Sequence, residues 1–422
     1  MSLGAQPSFD AMSTFPQGFG NGLVVQGMPI LNTYPGRVYW LDSVNGSDTN
    51  RGTFARPFAT LMGAQNVIST QAPTVFNDVL MVKPGHYETI TAPRTAAGAP
   101  STSGGAATAG SMSIDLTGLQ VIGLGIGDDR PQFNFTTANT ATLNITGSNV
   151  TLQNLLFLGN FLSIASAINL GGAVSGTGIA STAAYISGNL MTVVTSSSGY
   201  LYPGSTLWST TSGFLRGTKI VYQVSGTAGG VGVYYVNKSQ TVGSAASTAT
   251  ITSVTRNVSI LGCEFRDLSS VLGFITVVTT STVNNAHDGF AFIGNTFNGL
   301  STSGSAPVTL AANTNYVTIS QNQLNSTGGG TGAGILTKGA KVCLGLMVQG
   351  NRSWRPDTAN TGGMGIATTS TTDTGIVADN YILGGSGALT GLLIPTGGIL
   401  GFVNNPIQQA IDKSGTVLPV VG

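Results

Sequence analysis

Pairs of carboxylates are the side chains with the most direct catalytic potential in this sequence. Cleavage of a glycosidic bond requires two carboxyl groups about 5 to 9.5 Å apart. Within the repeated segments described below, the only carboxylates at outward-facing positions are Glu264 and Asp379. They fall four repeats apart, which separates them by roughly 19 Å at about 4.8 Å per repeat. The spacing therefore argues against this pair as a catalytic site.

The remaining charged clusters fit turns and ion pairs better than active sites. Asp128 and Asp129 stand together shortly before a proline, which is typical of a solvated turn. Glu264 and Asp267 flank Arg266, so a structural ion pair is expected at this edge. Neither cluster predicts general acid–base catalysis.

The few side chains that could bind a metal do not form a metal-binding pattern. His86 follows a Pro-Gly turn and His287 lies in a predicted loop, and there are no other histidines to complete a zinc site. Asp42, Asn45 and Asp48 could bind calcium, but their spacing differs from that of an EF-hand loop. A turn stabilised by Asx hydrogen bonds is the default expectation there. We expect no metal and no cofactor.

The composition limits the classes of partner. Only 7% of the 422 residues are charged, and 16 basic against 15 acidic residues give a net charge of +1. Nucleic-acid binding requires a concentrated basic surface, so no nucleic-acid partner is expected. No membrane partner is expected either, because no run approaches the roughly 18 to 20 apolar residues of a spanning helix. Cys263 and Cys343 are too few for a disulfide scaffold and are predicted to be free, buried thiols.

A repeated octet is the strongest pattern in the chain. Short runs of β-branched residues, punctuated by Gly and Asn, predict an all-β protein. The octet has apolar residues at its first, third and eighth positions: VTLQNLLF from Val150, VSILGCEF from Val258, FAFIGNTF from Phe290 and VTISQNQL from Val317. Weaker copies follow as LMVQGNRS from Leu346 and GIVADNYI from Gly375. The last four octets start 27, 29 and 29 residues apart, which is the length of one coil of a three-sheet solenoid.

The octet also predicts how each coil bends. Strand alternation places the first and third positions on one face, and the change of parity before the sixth position predicts a bend. The eighth position forms a further apolar stack inside the tube. At the sixth position, buried amides of successive coils can bond to one another as a structural ladder of Asn295, Asn322, Asn351 and Asn380.

These features predict an all-β fold, a right-handed parallel β-helix with three sheets. The amphipathic segment 56–69 is predicted to be an N-terminal capping helix, because a solenoid must cover the apolar interior of its first coil. The alternative is an ordinary β-sandwich in which the octets are similar by chance.

Interruptions of the rhythm divide the chain into segments. Residues 37–170 are predicted to form the cap and first coils, 171–254 an inserted small β-barrel or sandwich, 255–405 the remaining coils and 406–422 a C-terminal tail. The insert is predicted because the rhythm stops after residue 171 and returns at Val258, and coil corners tolerate insertions. A run of irregular long coils is the alternative for 171–254.

Residues 1–36 are predicted to form an extended docking arm. Four prolines and many glycines keep this segment from folding alone. Its apolar side chains need the surface of another protein, and the predicted docking residues are Phe9, Phe15, Phe19, Leu23, Val24 and Ile30. A disordered tail is the alternative.

Three features resemble proteins of tailed bacteriophages. The stretch that begins FPQGFGNGLVVQGMPILN and ends FARPFATLMGAQ is similar to the N-terminal part of a group of phage virion proteins. Its helix-and-turn portion resembles the entry cap of pectate-lyase-like β-helices. The inserted segment, with GTKI, SGTAGGVGVYYV and SQTV, is similar to a small β module of phage structural proteins. The resemblance implies a virion location after assembly in the host cytoplasm, usually as a homotrimer.

The function expected from this resemblance is structural. We expect a trimeric capsid decoration (cement) protein or a head spike, without enzyme activity, whose arm binds the major capsid protein or another virion protein. The rival is a tailspike that binds or depolymerises a host surface glycan, since a glycan groove could form between subunits. The outward positions of the octets favour lateral packing because they are small or polar: Thr151, Ser259, Thr318, Ser320 and Gln349.

Overall fold

Three parallel sheets dominate the protein. The computed structural model describes residues 23–25, 28–30, 37–71, 78–90, 111–114, 116–171, 181–198, 201, 203–268, 272–280, 287–299, 306–326, 335–339, 341–354, 366–368, 373–383, 392–393, 399–403 and 407–408. Successive strands pass from one sheet to the next, and each pairs in parallel with the strands one coil before and after it. The predicted fold class, an all-β three-sheet parallel β-helix with a capping helix and a small inserted β domain, is confirmed.

Each sheet takes one strand from each coil. Sheet 1 contains Val38–Leu41, Val79–Val82, Gln120–Gly123, Thr151–Gln153, Arg256–Leu261, His287–Ile293, Thr314–Ser320, Leu344–Gln349, Thr374–Ala378 and Ile399–Val403. Sheet 2 contains Tyr87–Thr89, Gln132–Phe135, Leu156–Gly159, Glu264–Asp267, Thr296–Gly299, Gln323–Ser326, Arg352–Trp354, Tyr381–Leu383 and Ile407–Gln408. Sheet 3 contains Ser111–Ile114, Thr142–Ile145, Ile168–Leu170, Val278–Thr280, Val308–Thr309, Leu336–Gly339, Ile366–Thr368 and Leu392–Leu393.

The octet corresponds to a strand of sheet 1, a bend and the start of a strand of sheet 2. Its first, third and eighth side chains are buried inside the tube, as in Val150, Leu152 and Phe157. The bend lies at the fifth residue, which has a positive φ in every copy: Asn154, Gly262, Gly294, Gln321, Gly350 and Asp379. Glycine and asparagine suit this left-handed conformation, which reverses the alternation of side chains at the corner.

Aromatic rings stack inside the tube below sheet 2. The ring centroids of Phe133 and Phe157 lie 5.8 Å apart, and those of Phe157 and Phe265 lie 4.9 Å apart at an interplanar angle of 10°. Phe297 continues the column in the next coil, because it pairs in register with Phe265. The parallel register therefore sets identical side chains above one another at the coil spacing, where their rings are in contact.

The capping helix begins later than predicted. It spans Leu61–Gln71, whereas the sequence pattern predicted a helix from residue 56. Phe58 is not helical, because its backbone bonds with Trp40 and Asp42 and extends sheet 1. Asp48 accepts hydrogen bonds from the amides of Ala59 and Thr60 and so fixes the start of the helix. No helix in the described part of the chain has the length and apolar character needed to cross a bilayer.

An antiparallel sheet lies between two coils of the tube. Its strands, in spatial order, are Thr206–Trp208, Ala249–Val254, Ser181–Ser198, Gly232–Val242 and Ile220–Gly226. Backbone hydrogen bonds of 2.8 to 2.9 Å between residues 204–207 and 218–220 join the two outer strands, so the sheet closes into a small barrel. The barrel has its own apolar core, which includes Ile186, Met191, Tyr234 and Val236. The domain limits stay predictions.

One charged contact links this barrel to the tube. A guanidinium nitrogen (Nη2) of Arg216 lies 2.5 Å from Oδ1 of Asp288, at the start of a sheet 1 strand. Asn315, one coil further, donates from Nδ2 to the same oxygen at 3.0 Å. Asp288 is nearly buried, so the contact holds the barrel against the corner of the tube.

Candidate functional site

The predicted asparagines lie directly above one another at the corner between sheets 1 and 2. Asn295 Nδ2 donates to Asn322 Oδ1 at 3.1 Å, and the corresponding distances from Asn322 to Asn351 and from Asn351 to Asn380 are both 2.8 Å. Each Nδ2 also donates to a carbonyl of the preceding sheet 1 strand, as from Asn322 to Phe292 at 2.8 Å. All four side chains are buried, so the column satisfies amides that would otherwise be unpaired inside the tube.

A thiol replaces the amide in the coil before the ladder. The backbone amide of Cys263 donates to Asn295 Oδ1 at 2.8 Å, and its thiol points to the carbonyl of Leu152 at 3.7 Å. Cys263 thus holds the same corner position as the asparagines. Cys263 and Cys343 are free and buried, as predicted, and burial raises the pKa of each thiol to about 12.

The asparagine ladder is expected to stabilise the tube measurably. Replacing Asn322 with leucine should lower the free energy of unfolding by about 1 to 3 kcal/mol, because Asn295 and Asn351 lose a buried partner. The measurement is urea denaturation followed by circular dichroism. Asn325→Leu is the matched control, since Asn325 donates to an asparagine of the preceding coil, Asn298, at 2.8 Å on the outer surface. Equal stability of both variants would contradict a stabilising role for the ladder.

The predicted docking residues are only partly described. Phe9, Phe15 and Phe19 lie outside the described residues. Leu23, Val24 and Ile30 fall in a two-stranded antiparallel ribbon, in which Leu23–Val25 pairs with Met28–Ile30. The extended backbone of the ribbon is compatible with an arm, and the contacts of these side chains stay a prediction.

A charged cluster on the outer face of sheet 2 brings together residues that the sequence did not connect. Arg266 donates from Nη1 to Asp128 Oδ1 at 3.0 Å and from Nη2 to Glu264 Oε1 at 2.8 Å. Arg130 Nη1 lies 3.5 Å from the other oxygen of Glu264. The predicted ion pair of Glu264 with Arg266 is present, and Asp128 joins it from an earlier coil.

This cluster contains the carboxylate pair that the octets lacked. Asp128 and Glu264 bind two nitrogens of one guanidinium, so the two bonded oxygens lie within roughly 8 Å of each other, a separation compatible with glycoside chemistry. Asp128 lies in a 3-10 turn, Gly127–Asp129, outside any octet, so the octet positions did not indicate this pair. Hydrogen bonds to Arg266 already engage an oxygen of each carboxylate. The cluster is therefore a network of ion pairs on the surface of the protein.

His86 and Glu88 contact the start of the capping helix. Glu88 is buried and accepts the amide of Leu61, the first helical residue, at 2.9 and 3.1 Å. His86 Nδ1 accepts the amide of Ser43 at 2.9 Å, so in the neutral ring the proton sits on Nε2, which lies 3.2 Å from Glu88. Burial raises the pKa of Glu88, and the bonds from His86 and Leu61 oppose this effect. His86 and Glu88 act as a helix cap.

The remaining candidate positions are structural as well. His287 was predicted to lie in a loop, but it is the first residue of the sheet 1 strand His287–Ile293 and is buried. Asp42 Oδ1 accepts the amides of Val44 and Asn45 at 2.9 and 3.1 Å, which is the predicted Asx turn. Among the described residues, no group of three His, Cys, Asp or Glu side chains could hold a metal ion.

Sequence reasoning missed one fully buried ion pair. Lys338 Nζ lies 2.5 Å from Asp373 Oδ2, and neither side chain is exposed. Lys338 also donates to the carbonyl of Lys341, and Asp373 Oδ1 accepts the amide of Cys343 at 2.8 Å. The pair joins the sheet 3 strand Leu336–Gly339 to the residue that directly precedes the sheet 1 strand Thr374–Ala378. Both residues lie outside the octets, so no repeat indicated them.

Comparisons with known proteins found weak similarity to solved structures alone. No protein-family model and no curated protein matches it. Among solved structures, it is similar to the pectin methylesterase of Aspergillus niger, with 8% identity and a TM-score of 0.34 over 91% of each chain. It is also similar to a rhamnogalacturonan lyase (13%, 0.32, over 91% of this chain and 90% of that one). A pectate lyase matches at 10% and 0.30 over 89% of this chain and 77% of that one. Similarities this weak carry no argument about activity.

Proposed function

We propose that the protein is a structural component of a bacteriophage virion, a trimeric capsid decoration or head-spike protein that binds the capsid through residues 1–36. The observation that carries this proposal is the resemblance of residues 15–65 and of the inserted segment to proteins of phage particles. The proposal gives the β-helix the role of a rigid rod and gives the arm the role of attachment.

The described side chains support a structural role in two ways. The polar groups inside the tube are engaged with one another, as in the asparagine ladder and the pair of Lys338 with Asp373. On the outside, the carboxylates of Asp128 and Glu264 are both engaged by Arg266. A general acid or nucleophile needs a carboxylate whose oxygens can reach a substrate. Arg266 binds one oxygen of each carboxylate, and Arg130 lies 3.5 Å from the second oxygen of Glu264.

The test is the presence and copy number of the protein in purified particles, measured by quantitative mass spectrometry against the major capsid protein. We expect a copy number that follows the symmetry of the capsid: comparable with that of the major capsid protein for a decoration protein, or set by the number of vertices for a head spike. A copy number of only a few trimers would place the protein in the tail or at a single vertex. Absence from the particle would overturn the proposal.

The second candidate function is that of a tailspike that binds or cleaves a surface polysaccharide. The observation that favours it is the proximity of Asp128 and Glu264 on an outer face. Purified protein would be incubated with host polysaccharide, and the release of reducing ends would be compared with that of Glu264→Gln. Our proposal expects no release from either protein. Release that Glu264→Gln abolishes would establish the second function instead.

A further inference from the structure

The loop of residues 47–57 lies against the first strand of sheet 1 and has a tightly packed backbone. The carbonyl of Gly52 accepts the amide of Trp40 at 2.8 Å, so the loop bonds to the open edge of the sheet. Gly52 has a φ of 72°, and a Cβ atom at this position would lie 2.2 Å from the ring of Phe58. Only glycine permits this approach, which ties the loop to the buried core. We call this segment the Phe54 loop.

Phe54 lies in the turn of this loop, where it is held in place and yet exposed. Lys83 Nζ donates to the carbonyl of Phe54 at 3.0 Å and lies 4.4 Å from the centroid of its ring. The ring of Trp40 meets that of Phe54 edge-on at 4.8 Å. Phe54 is 62% exposed, whereas every other phenylalanine whose side chain the structure describes is buried or partly buried. Aromatic side chains held in this way often supply most of the energy of a protein interface.

The carboxylates around the loop are engaged by backbone amides. Asp42, Asp78 and Glu88 are buried, and each accepts at least one amide of the chain. Asp48 is exposed, but its Oδ1 accepts two amides at the start of the capping helix. These four are the only carboxylates among the described residues of the segment 37–90, so little negative charge faces the solvent there.

Two arginines of the Phe54 loop supply the opposite charge. Arg51 and Arg56 flank Phe54 in the sequence, and both are exposed. Neither guanidinium forms an ion pair with a carboxylate in the described part of the chain. Arg216 and Arg266, elsewhere on the protein, are both paired. The loop therefore presents an aromatic ring together with two unpaired positive charges.

We propose that the Phe54 loop is a second contact with the virion protein that the arm binds, and that it docks on an acidic surface of that protein. This inference rests on the proposed function, which supplies the partner. Residues 1–36 end directly before the strand Val38–Leu41, whose Trp40 contacts Phe54. A protein held by the arm is therefore brought next to the loop. The arm supplies attachment, and the loop fixes the orientation of the tube on the partner.

The charges favour this partner over two others. A second copy of the loop would bring four arginines together without a carboxylate, which is unfavourable. Nucleic acid needs a larger cationic surface than two side chains, because its affinity grows with the number of phosphates neutralised. An acidic protein surface needs only a carboxylate opposite each of Arg51 and Arg56, and guanidinium groups bind carboxylates through two parallel hydrogen bonds. Aromatic and arginine side chains are also enriched in protein interfaces.

The test is co-sedimentation of the full chain with capsids that lack the natural copy, at a series of protein concentrations. We expect Arg51→Glu/Arg56→Glu to raise the Kd by about tenfold or more, because each reversed charge meets a like charge on the partner. Sodium chloride should weaken the binding of the natural protein more than that of this variant. Phe54→Ser should raise the Kd by about the same factor through loss of the aromatic contact.

Lys219→Glu/Arg352→Glu is the matched control, since it reverses two exposed charges on the barrel and on sheet 2. It should bind capsids as the natural protein does. If Phe54→Ser disturbs the loop and lowers the melting temperature, the charge reversal still decides, because Arg51 and Arg56 form no ion pair within the described chain. Equal Kd values for the natural protein and Arg51→Glu/Arg56→Glu would overturn the inference. Equal weakening by both charge-reversal variants would overturn it as well.

Immobilised poly-L-glutamate tests the acidic character of the partner without capsids. At low ionic strength it should retain the natural protein and Lys219→Glu/Arg352→Glu but not Arg51→Glu/Arg56→Glu. Release of the natural protein by a DNA oligonucleotide, but not by soluble polyglutamate, would identify nucleic acid as the ligand and overturn the inference.

The inference and the proposed function fail in different ways. Capsid binding by the natural protein that Arg51→Glu/Arg56→Glu leaves unchanged removes the inference and leaves the proposed function standing. Absence of the protein from particles and from sedimented capsids removes the proposed function. Retention on polyglutamate that depends on Arg51 and Arg56 would then support an acidic protein partner outside the virion.

Discussion

Asp373→Ala is expected to lower the free energy of unfolding by about 3 to 5 kcal/mol. The change leaves the ammonium group of Lys338 inside the tube without its carboxylate, in a position that water does not reach. It also removes the acceptor of the Cys343 amide. An unpaired charge inside the protein destabilises the fold by far more than the intact ion pair stabilises it. The loss of stability in Asp373→Ala is therefore large, although the pair itself contributes little net stability.

Two controls separate this effect from simple loss of a side chain. Lys338→Met/Asp373→Leu removes both charges and keeps an apolar volume, so its stability should be close to that of the natural protein. Asp129→Ala removes an exposed carboxylate and should change stability by less than about 0.5 kcal/mol. Urea denaturation of the three variants gives the comparison. If Asp373→Ala is no less stable than the double variant, Lys338 is not held as a buried cation.

The fold could be predicted because the coil imposes a period on the sequence. Val150, Val258 and Val317 occupy equivalent sites, and the same burial demands the same type of residue in each coil. The ladder could be predicted for the same reason, since an amide inside the tube needs another amide one coil away. Because the same structural requirement recurs in every coil, it produces a repeated sequence pattern that can be recognised in a single sequence.

The charged cluster could not be predicted because it has no period. Asp128 lies in a turn whose length is particular to its coil, and Glu264 follows the barrel that interrupts the chain. Their contact depends on how far the turn projects along sheet 2, which spacing alone does not determine. The ion pair of Lys338 with Asp373 could not be predicted for the same reason. Each of these residues occurs once, at a corner whose length varies from coil to coil. The predicted start of the capping helix was too early because Phe58 is an apolar, buried residue. Such a residue fits the pattern of an amphipathic helix, although its backbone is extended here.

Removal of residues 1–36 is expected to abolish incorporation into particles and to leave the thermal stability of the tube nearly unchanged. The first strand of sheet 1, Val38–Leu41, pairs with Val79–Val82, and Leu61 and Ile68 of the capping helix are buried in the core of the tube. The first coil is therefore closed by residues that follow position 36. We expect the arm's apolar side chains to lie on another protein as an extended segment.

The energy available to such an arm is sufficient for attachment. Burial of three or four of its apolar side chains would contribute roughly 5 to 10 kcal/mol before the cost of ordering the chain. That cost is high for a segment rich in glycine, and in the proposed trimer the simultaneous attachment of three arms would offset it through effective concentration. The arm is thus expected to be necessary for binding, and a trimer should bind the capsid far more tightly than one chain.

The measurement is co-sedimentation of the shortened protein with capsids that lack the natural copy. Phe9→Ser/Phe15→Ser/Phe19→Ser is the matched variant, since it keeps the length of the arm and removes its largest apolar groups. It should fail to bind as the shortened protein does, while both variants keep the melting temperature and the number of chains per assembly of the natural protein. Normal co-sedimentation of the triple variant would move attachment to other residues of the chain, with the segment 406–422 next to be tested. A fall in melting temperature on removal of residues 1–36 would instead make the arm part of the folded tube.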